Sequence, residues 1–119
     1  MIRLVKSRKK LIPMKLGVIL ESKDPETVWN ALRFGVAGLG AGHTVHLFLM
    51  GGGVEITTLG NARYDVNSEL THFESAGGTV LACGTCLKNR QLTSSAACPA
   101  GTMTDCVDLV VWADKTVTF

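Results

Sequence analysis

Four cysteines stand in the chain, at positions 83, 86, 98 and 106, and only two residues separate the first pair, Cys83-Gly84-Thr85-Cys86. Two thiols at this spacing can close a disulfide, share a metal ion, or leave one of the two as a nucleophile. The flanking residues suggest a placement. Thr79 to Ala82 is a short apolar run that leads into Cys83, while Leu87, Lys88 and Arg90 come after the second cysteine. The pattern predicts a buried strand that stops at a thiol, with a short helix starting behind it. A thiol there meets unpaired backbone N–H groups, which favour the thiolate and lower the pKa. Lys88 and Arg90 would add positive charge. Cys83 is therefore the leading candidate nucleophile, with Cys86 as its companion. Cys98, in a small-residue loop beside Pro99, is a candidate to resolve a disulfide or persulfide on Cys83, or to be a third metal ligand; Cys86 is the other candidate to release bound sulfur by forming a disulfide. Cys106 falls on an apolar helical stripe and reads as structural.

The elements that position these residues can be read from the apolar runs. Leu16 to Leu20 and Thr44 to Met50 are continuous enough to be strands buried on both faces of a parallel sheet. Asp24-Pro25-Glu26 opens a helix, with Asp24 as its cap and Pro25 in the first turn. Its core stripe is Val28, Ala31, Leu32, Gly35, Val36 and Leu39, with Phe34 well off that stripe. Gly38, Gly40 and Gly42 are expected to end it; because they come after a helix and before a strand, they do not form a dinucleotide fingerprint. Val54 to Asp65 has no strong period and reads as a loop or a poorly specified helix. Val66, Leu70, Phe73 and Gly77 make a second helical stripe. Thr102 with Asp105 resembles a capping box. The last helix then has a predicted core stripe of Met103, Cys106, Val107, Val110 and Val111, with Leu109 and Trp112 pointing elsewhere. Lys115 to Phe119 is a closing strand.

Strands alternating with helices predict an α/β protein: three layers, with a mostly parallel sheet of four to five strands. Ligands of such sheets bind beyond the carboxyl ends of the strands. Glu21, Ser22, Gly51, Gly52, Gly53, Cys83 and Phe119 belong to that edge. The three glycines could present N–H groups to an anion, with Lys88 and Arg90 completing an anion- or ligand-binding edge. His43 belongs to the opposite edge, His46 reads as a satisfied buried histidine within a strand, and His72 as a solvated one.

Composition removes several function classes. With 119 residues, 46% of them hydrophobic, the chain is long enough for one core and too apolar for disorder. The formal charge is +2, and five of the twelve basic residues are Arg3, Lys6, Arg8, Lys9 and Lys10. The remainder holds seven basic residues against ten acidic ones, so no basic stripe marks a nucleic-acid binder. Residues 1–13 are expected to be a basic, disordered extension, and residues 14–119 one α/β domain. Pro13 and Lys15 interrupt Leu11 to Leu20 and no small-residue cleavage site comes after them, which argues against a secretory signal. No apolar run approaches the roughly 20 residues of a membrane span. The expected compartment is the reducing cytosol, where paired cysteines serve chemistry more often than structure.

Four stretches resemble the DsrE/DsrF-like family of small sulfur-relay and sulfur-reduction proteins. They are Met14-Lys-Leu-Gly-Val-Ile-Leu with Asp24-Pro25-Glu26; Met50-Gly51-Gly52-Gly53-Val54; Cys83-Gly-Thr-Cys-Leu-Lys-Asn-Arg; and Trp112-Ala-Asp-Lys-Thr-Val-Thr-Phe. The resemblance implies a flavodoxin- or Rossmann-like fold and a cysteine at the end of the third strand that carries sulfur as a persulfide without a cofactor. The matching residue is Cys83; Cys86 lies outside the broader family pattern. The resemblance also implies protein sulfur donors and acceptors and a homo-oligomer, whether dimer, trimer or hexamer. Independently, Phe34, Leu109 and Trp112, lying off their helices' stripes, are expected in subunit contacts. Three other readings stand beside sulfur transfer: a Cys83–Cys86 thiol–disulfide oxidoreductase, a metal site on Cys83, Cys86 and Cys98, and a ligand-binding module at Gly51 to Gly53.

Overall fold

Parallel strands must be joined by crossovers, and the chain supplies one after each of its first strands. The computed structural model describes residues 12–119. The elements are β1 (Lys15–Leu20), α1 (Pro25–Gly40), β2 (Thr44–Leu49), a 3₁₀ helix (Gly51–Thr58), α2 (Val66–Ser75), β3 (Thr79–Cys83), α3 (Gly84–Asn89), β4 (Ala100–Gly101), α4 (Met103–Trp112) and β5 (Lys115–Thr118). The five strands form one sheet in the order β4-β3-β2-β1-β5. Every pairing in it is parallel. The α/β expectation therefore holds, at the upper end of the expected strand number. The basic extension expected at residues 1–13 lies almost wholly outside the described residues.

Alternation along the strands assigns the two faces. Val18 and Leu20 of β1, and Val45, Leu47 and Leu49 of β2, are buried together beneath α1 and α2. Gly17, His46 and the residues in phase with them face α4, where Gly17 lies against Leu109 and Ala113. Fully buried Leu20, Leu32, Phe48 and Phe73 anchor the core, each contributing about 1.5–3 kcal/mol through burial. The predicted caps form. Asp24 accepts the Thr27 N–H at 3.0 Å, and Thr102 and Asp105 bond reciprocally as a capping box.

The structure redraws several expectations. Helix α1 runs through Gly38 to Gly40, so Gly38 does not end it. A Cβ at Gly38 would come within 3.2 Å of Val45 and 3.3 Å of Leu16, and the glycine lets the helix lie close on the sheet. The stretch after Gly53 is part of the 3₁₀ helix, which buries Val54 and Ile56. The two-residue β4 emerges from the small-residue loop and pairs with Ala82 and Cys83.

The largest correction concerns α4. Cys106 and Leu109 are its buried residues, and Trp112 is half-buried, its ring stacked on His46 at 4.0 Å. Met103, Val107, Val110 and Val111, four of the five expected core residues, are exposed. The helix is apolar on two sides, and the side carrying Leu109 meets the sheet. Leu109 is therefore buried against the sheet and Trp112 only partly covered, whereas Phe34 is 37% exposed with its ring beside Phe119.

Candidate functional site

The carboxyl ends of β1, β2 and β3 lie side by side in register, Leu20 opposite Leu49 and Leu49 opposite Ala82. The chain leaves β2 into Gly51 and leaves β3 into α3. This parallel exit brings two segments far apart in sequence to one edge. The Glu21 N–H donates to the Phe119 carbonyl at 2.8 Å, so the C-terminal residue reaches the same edge, as expected.

Cys83 ends β3 and is at once the N-cap of α3, with its sulfur accepting the Cys86 N–H at 3.5 Å. It is 3% exposed. Burial pushes its pKa up, but the Cys86 N–H, the Cys86 thiol and the Thr85 N–H together outweigh that effect, and the pKa falls below the ordinary thiol value. The expected thiolate-favouring environment is therefore present, and its source is these local donors. Lys88 and Arg90 are not among the causes. Arg90 instead donates to Glu55 at 2.9 Å and to the Cys86 carbonyl at 3.3 Å, bracing α3 against the 3₁₀ helix. Lys88 lies exposed in the last turn of α3.

Cys86 is half-buried, and its sulfur accepts the Gly51 N–H at 3.2 Å. Gly51 has φ +53°, in the left-handed region that favours glycine. Gly53 is constrained differently, because a side chain there would overlap the Leu20 carbonyl oxygen. Glycine thus allows the 3₁₀ helix to sit directly against the end of β1, which places the Gly51 N–H over Cys86. Of the N–H groups expected to face an anion, Gly51 gives its own to a thiol and Gly53 gives its own to the Met50 carbonyl at 2.9 Å. A Cβ on Gly52 would meet Lys23 at 2.9 Å.

Cys98 does not join the pair. It is buried, its N–H donates to the Ser95 hydroxyl at 3.1 Å, and its pKa is pushed up to about 11 by burial and by the Glu74 carboxylate. Glu74 belongs to α2, on the sheet face opposite α4. Cys106, on α4, is the thiol that feels Cys83; burial first, and the Cys83 charge second, raise its pKa. All four cysteines are free thiols. Among the described residues no group of three or more His, Cys, Asp and Glu side chains could hold a metal ion, so the Cys83, Cys86, Cys98 ligand set has no geometric support.

The three histidines make other contacts. His43, at the amino edge, accepts the Met14 N–H at 2.9 Å through Nδ1. His46 is half-buried against Trp112, and desolvation lowers its pKa. His72 is exposed, 3.9 Å from Glu69. A groove of about 550 Å³ lies beside α4, lined by Phe48, Leu81, Pro99, Asp108 and Trp112 among others, and no cysteine lines it.

Sequence reasoning missed two contacts, Gly51 to Cys86 and Arg90 to Glu55. The position of both glycines and cysteines at the carboxyl edge was the available signal for the first. No sequence signal pointed to Glu55, which lies in a stretch without period.

The DsrE/DsrF-like family model matches residues 14–119, nearly the whole chain, and the chain belongs to that family. The comparison with curated proteins gives no match. Among the described residues no helix is long and apolar enough to cross a membrane.

Proposed function

We propose that this member of the DsrE/DsrF-like family is a cytosolic sulfur carrier that holds sulfur as a persulfide on Cys83. The Cys83 thiolate attacks the outer sulfur of a donor persulfide. A Cys83 persulfide forms, and the donor leaves as its thiolate. Attack by an acceptor protein's thiol then reverses the chemistry in favour of the acceptor, and no cofactor is needed. The functional unit is residues 14–119, and neither nucleic acid nor a membrane is a partner.

The observation that carries this reading is the lowered pKa of a buried thiol at the end of β3, with N–H donors on its sulfur. A thiolate is the reactive form of cysteine, and such donors serve to hold it. Family membership supplies the sulfur chemistry. The test is intact-mass spectrometry of reduced protein after exposure to a persulfide donor, with Cys83→Ser alongside. The chain should gain one sulfur atom and the variant none; full loading of the variant would refute the assignment.

A homo-oligomer is part of the proposal. Met103, Val107, Val110 and Val111 form an exposed apolar stripe on α4, of the kind that marks an interaction surface. Light scattering at micromolar concentration should report more than one chain, and Val111→Lys should shift it towards the monomer. A monomeric unsubstituted protein would contradict this part.

A second reading, thiol–disulfide exchange by Cys83 and Cys86, is favoured by the direct contact of the two side chains. It predicts turnover of a disulfide substrate, which the sulfur-carrier reading does not.

A further inference from the structure

We propose that the site can discharge its own sulfur: Cys86 resolves the Cys83 persulfide, closing a Cys83–Cys86 disulfide and releasing hydrosulfide. The inference rests on the sulfur-carrier reading and adds a second outcome for the same bound sulfur.

The geometry singles out Cys86. Its N–H donates to the Cys83 sulfur at 3.5 Å, and its thiol contacts the same sulfur. The Gly51 N–H donates to the Cys86 sulfur at 3.2 Å and helps to fix it. The attacking atom belongs to the more exposed cysteine of the pair. Residues three apart on a helical turn have Cβ atoms about 5–6 Å apart. A disulfide needs about 3.5–4.5 Å, so closure asks for a short contraction at the β3–α3 junction. Cys83 sits there with φ −58° and ψ 116°, outside the helix proper.

The other thiols are poorly suited. Cys98 is buried and feels the Glu74 carboxylate of α2, and its pKa of about 11 keeps it protonated near neutral pH. Cys106 is buried on α4, and both its burial and the Cys83 charge hold its proton on. Cys86 is the thiol on the same turn as Cys83, with its N–H on the Cys83 sulfur.

The step balances within the site. The Cys86 sulfur attacks the Cys83 Sγ, and the Cys83–Cys86 sulfur–sulfur bond forms. The bond between the Cys83 Sγ and the outer sulfur breaks, and its electron pair leaves with the outer sulfur, which departs as hydrosulfide. The Cys86 proton goes to the hydrosulfide or to solvent. The cysteine pair is oxidised by two electrons, and the sulfane sulfur is reduced to sulfide. No outside oxidant enters. Return to the dithiol requires a dithiol reductant, so without one the protein releases sulfide once.

The experiment loads the reduced chain with a stoichiometric persulfide donor, removes the donor, and tracks released sulfide and intact mass with no reductant present. Wild type, Cys83→Ser, Cys86→Ser, Cys98→Ser and Cys106→Ser are run together, with circular dichroism to confirm folding. Wild type should release one sulfide per chain and end two hydrogens lighter than the dithiol. Cys86→Ser should gain one sulfur and release it at least about tenfold more slowly. Cys98→Ser and Cys106→Ser should behave as wild type. Release from Cys86→Ser at the wild-type rate would overturn the inference while leaving the carrier intact. Sulfur held by Cys83→Ser but not by Cys86→Ser would overturn it by exchanging the roles. If no protein gains sulfur and wild type forms no disulfide, the carrier reading falls and this inference falls with it.

Discussion

Cys83 and Cys98 are nearly equal in exposure, at 3% and 5%, yet their acidities move in opposite directions. The Cys98 pKa rises to about 11 because burial and the Glu74 carboxylate both oppose the thiolate. At Cys83 burial opposes the thiolate as well, but the donors from Cys86 and Thr85 outweigh it. The two thiols differ in their C-terminal neighbours. After Cys83 come Gly84, Thr85 and Cys86, which turn into a helix, and Thr85 and Cys86 aim polar hydrogens back at the sulfur. After Cys98 come Pro99, which has no N–H, and the short β4. Burial opposes the thiolate at both sites; donors outweigh it at Cys83, and the Glu74 carboxylate adds to it at Cys98.

The contrast can be broken at its support. Gly53→Ala should have the largest effect on stability, because the added methyl group overlaps the Leu20 carbonyl and forces the 3₁₀ helix off β1. A loss of about 1–3 kcal/mol is expected from such overpacking, read as a lower urea midpoint. Alkylation of Cys86 should also speed up as Gly51 moves away, while Cys98 stays protected. An unchanged midpoint would show that the junction does not depend on that close approach.

Two opposite pH dependences sharpen the same contrast. Cys83 has a folded pKa below its unfolded value of about 8.5, so its contribution to stability is complete above that value. It is lost as pH falls through the folded pKa. Cys98 has the reverse sign. Its contribution is complete below about 8.5 and is lost as pH rises through the folded value of about 11. Cys98→Ala should therefore flatten the alkaline fall in stability, and Cys83→Ser the rise that precedes it. Urea midpoints measured across pH for both variants give the two slopes; equal slopes would contradict the opposite shifts.

Glu55→Gln should have the smallest effect. The Arg90–Glu55 pair has side chains 33% and 25% exposed, and partly solvated pairs contribute about 0–1 kcal/mol. The midpoint should barely move, while Cys86 should alkylate somewhat faster as α3 loosens. A loss well above that range would give the pair a structural weight that its exposure does not suggest.

Much of this site was legible in the sequence because its signals are local. The apolar run ending at Cys83, the spacing to Cys86 and the caps at Asp24 and Thr102 each act within a few residues. Contacts between segments were less legible. Gly51 meets Cys86, and Arg90 meets Glu55, across 35 residues each; both contacts depend on how the ends of β2 and β3 align. Helix α4 was hard to read for another reason. Periodicity finds an apolar face but does not choose between two, and only the sheet shows that Leu109, not Val111, is the inward residue.

The central claim is that local donors lower the Cys83 pKa, whereas burial and the Glu74 carboxylate raise that of Cys98. The most direct measurement is a pH titration of the reduced protein that monitors each cysteine Cβ by nuclear magnetic resonance, with single Cys→Ser variants for assignment. Cys83 should titrate below a free thiol and Cys98 well above it. Titration of both on the same side of the free value would contradict the account.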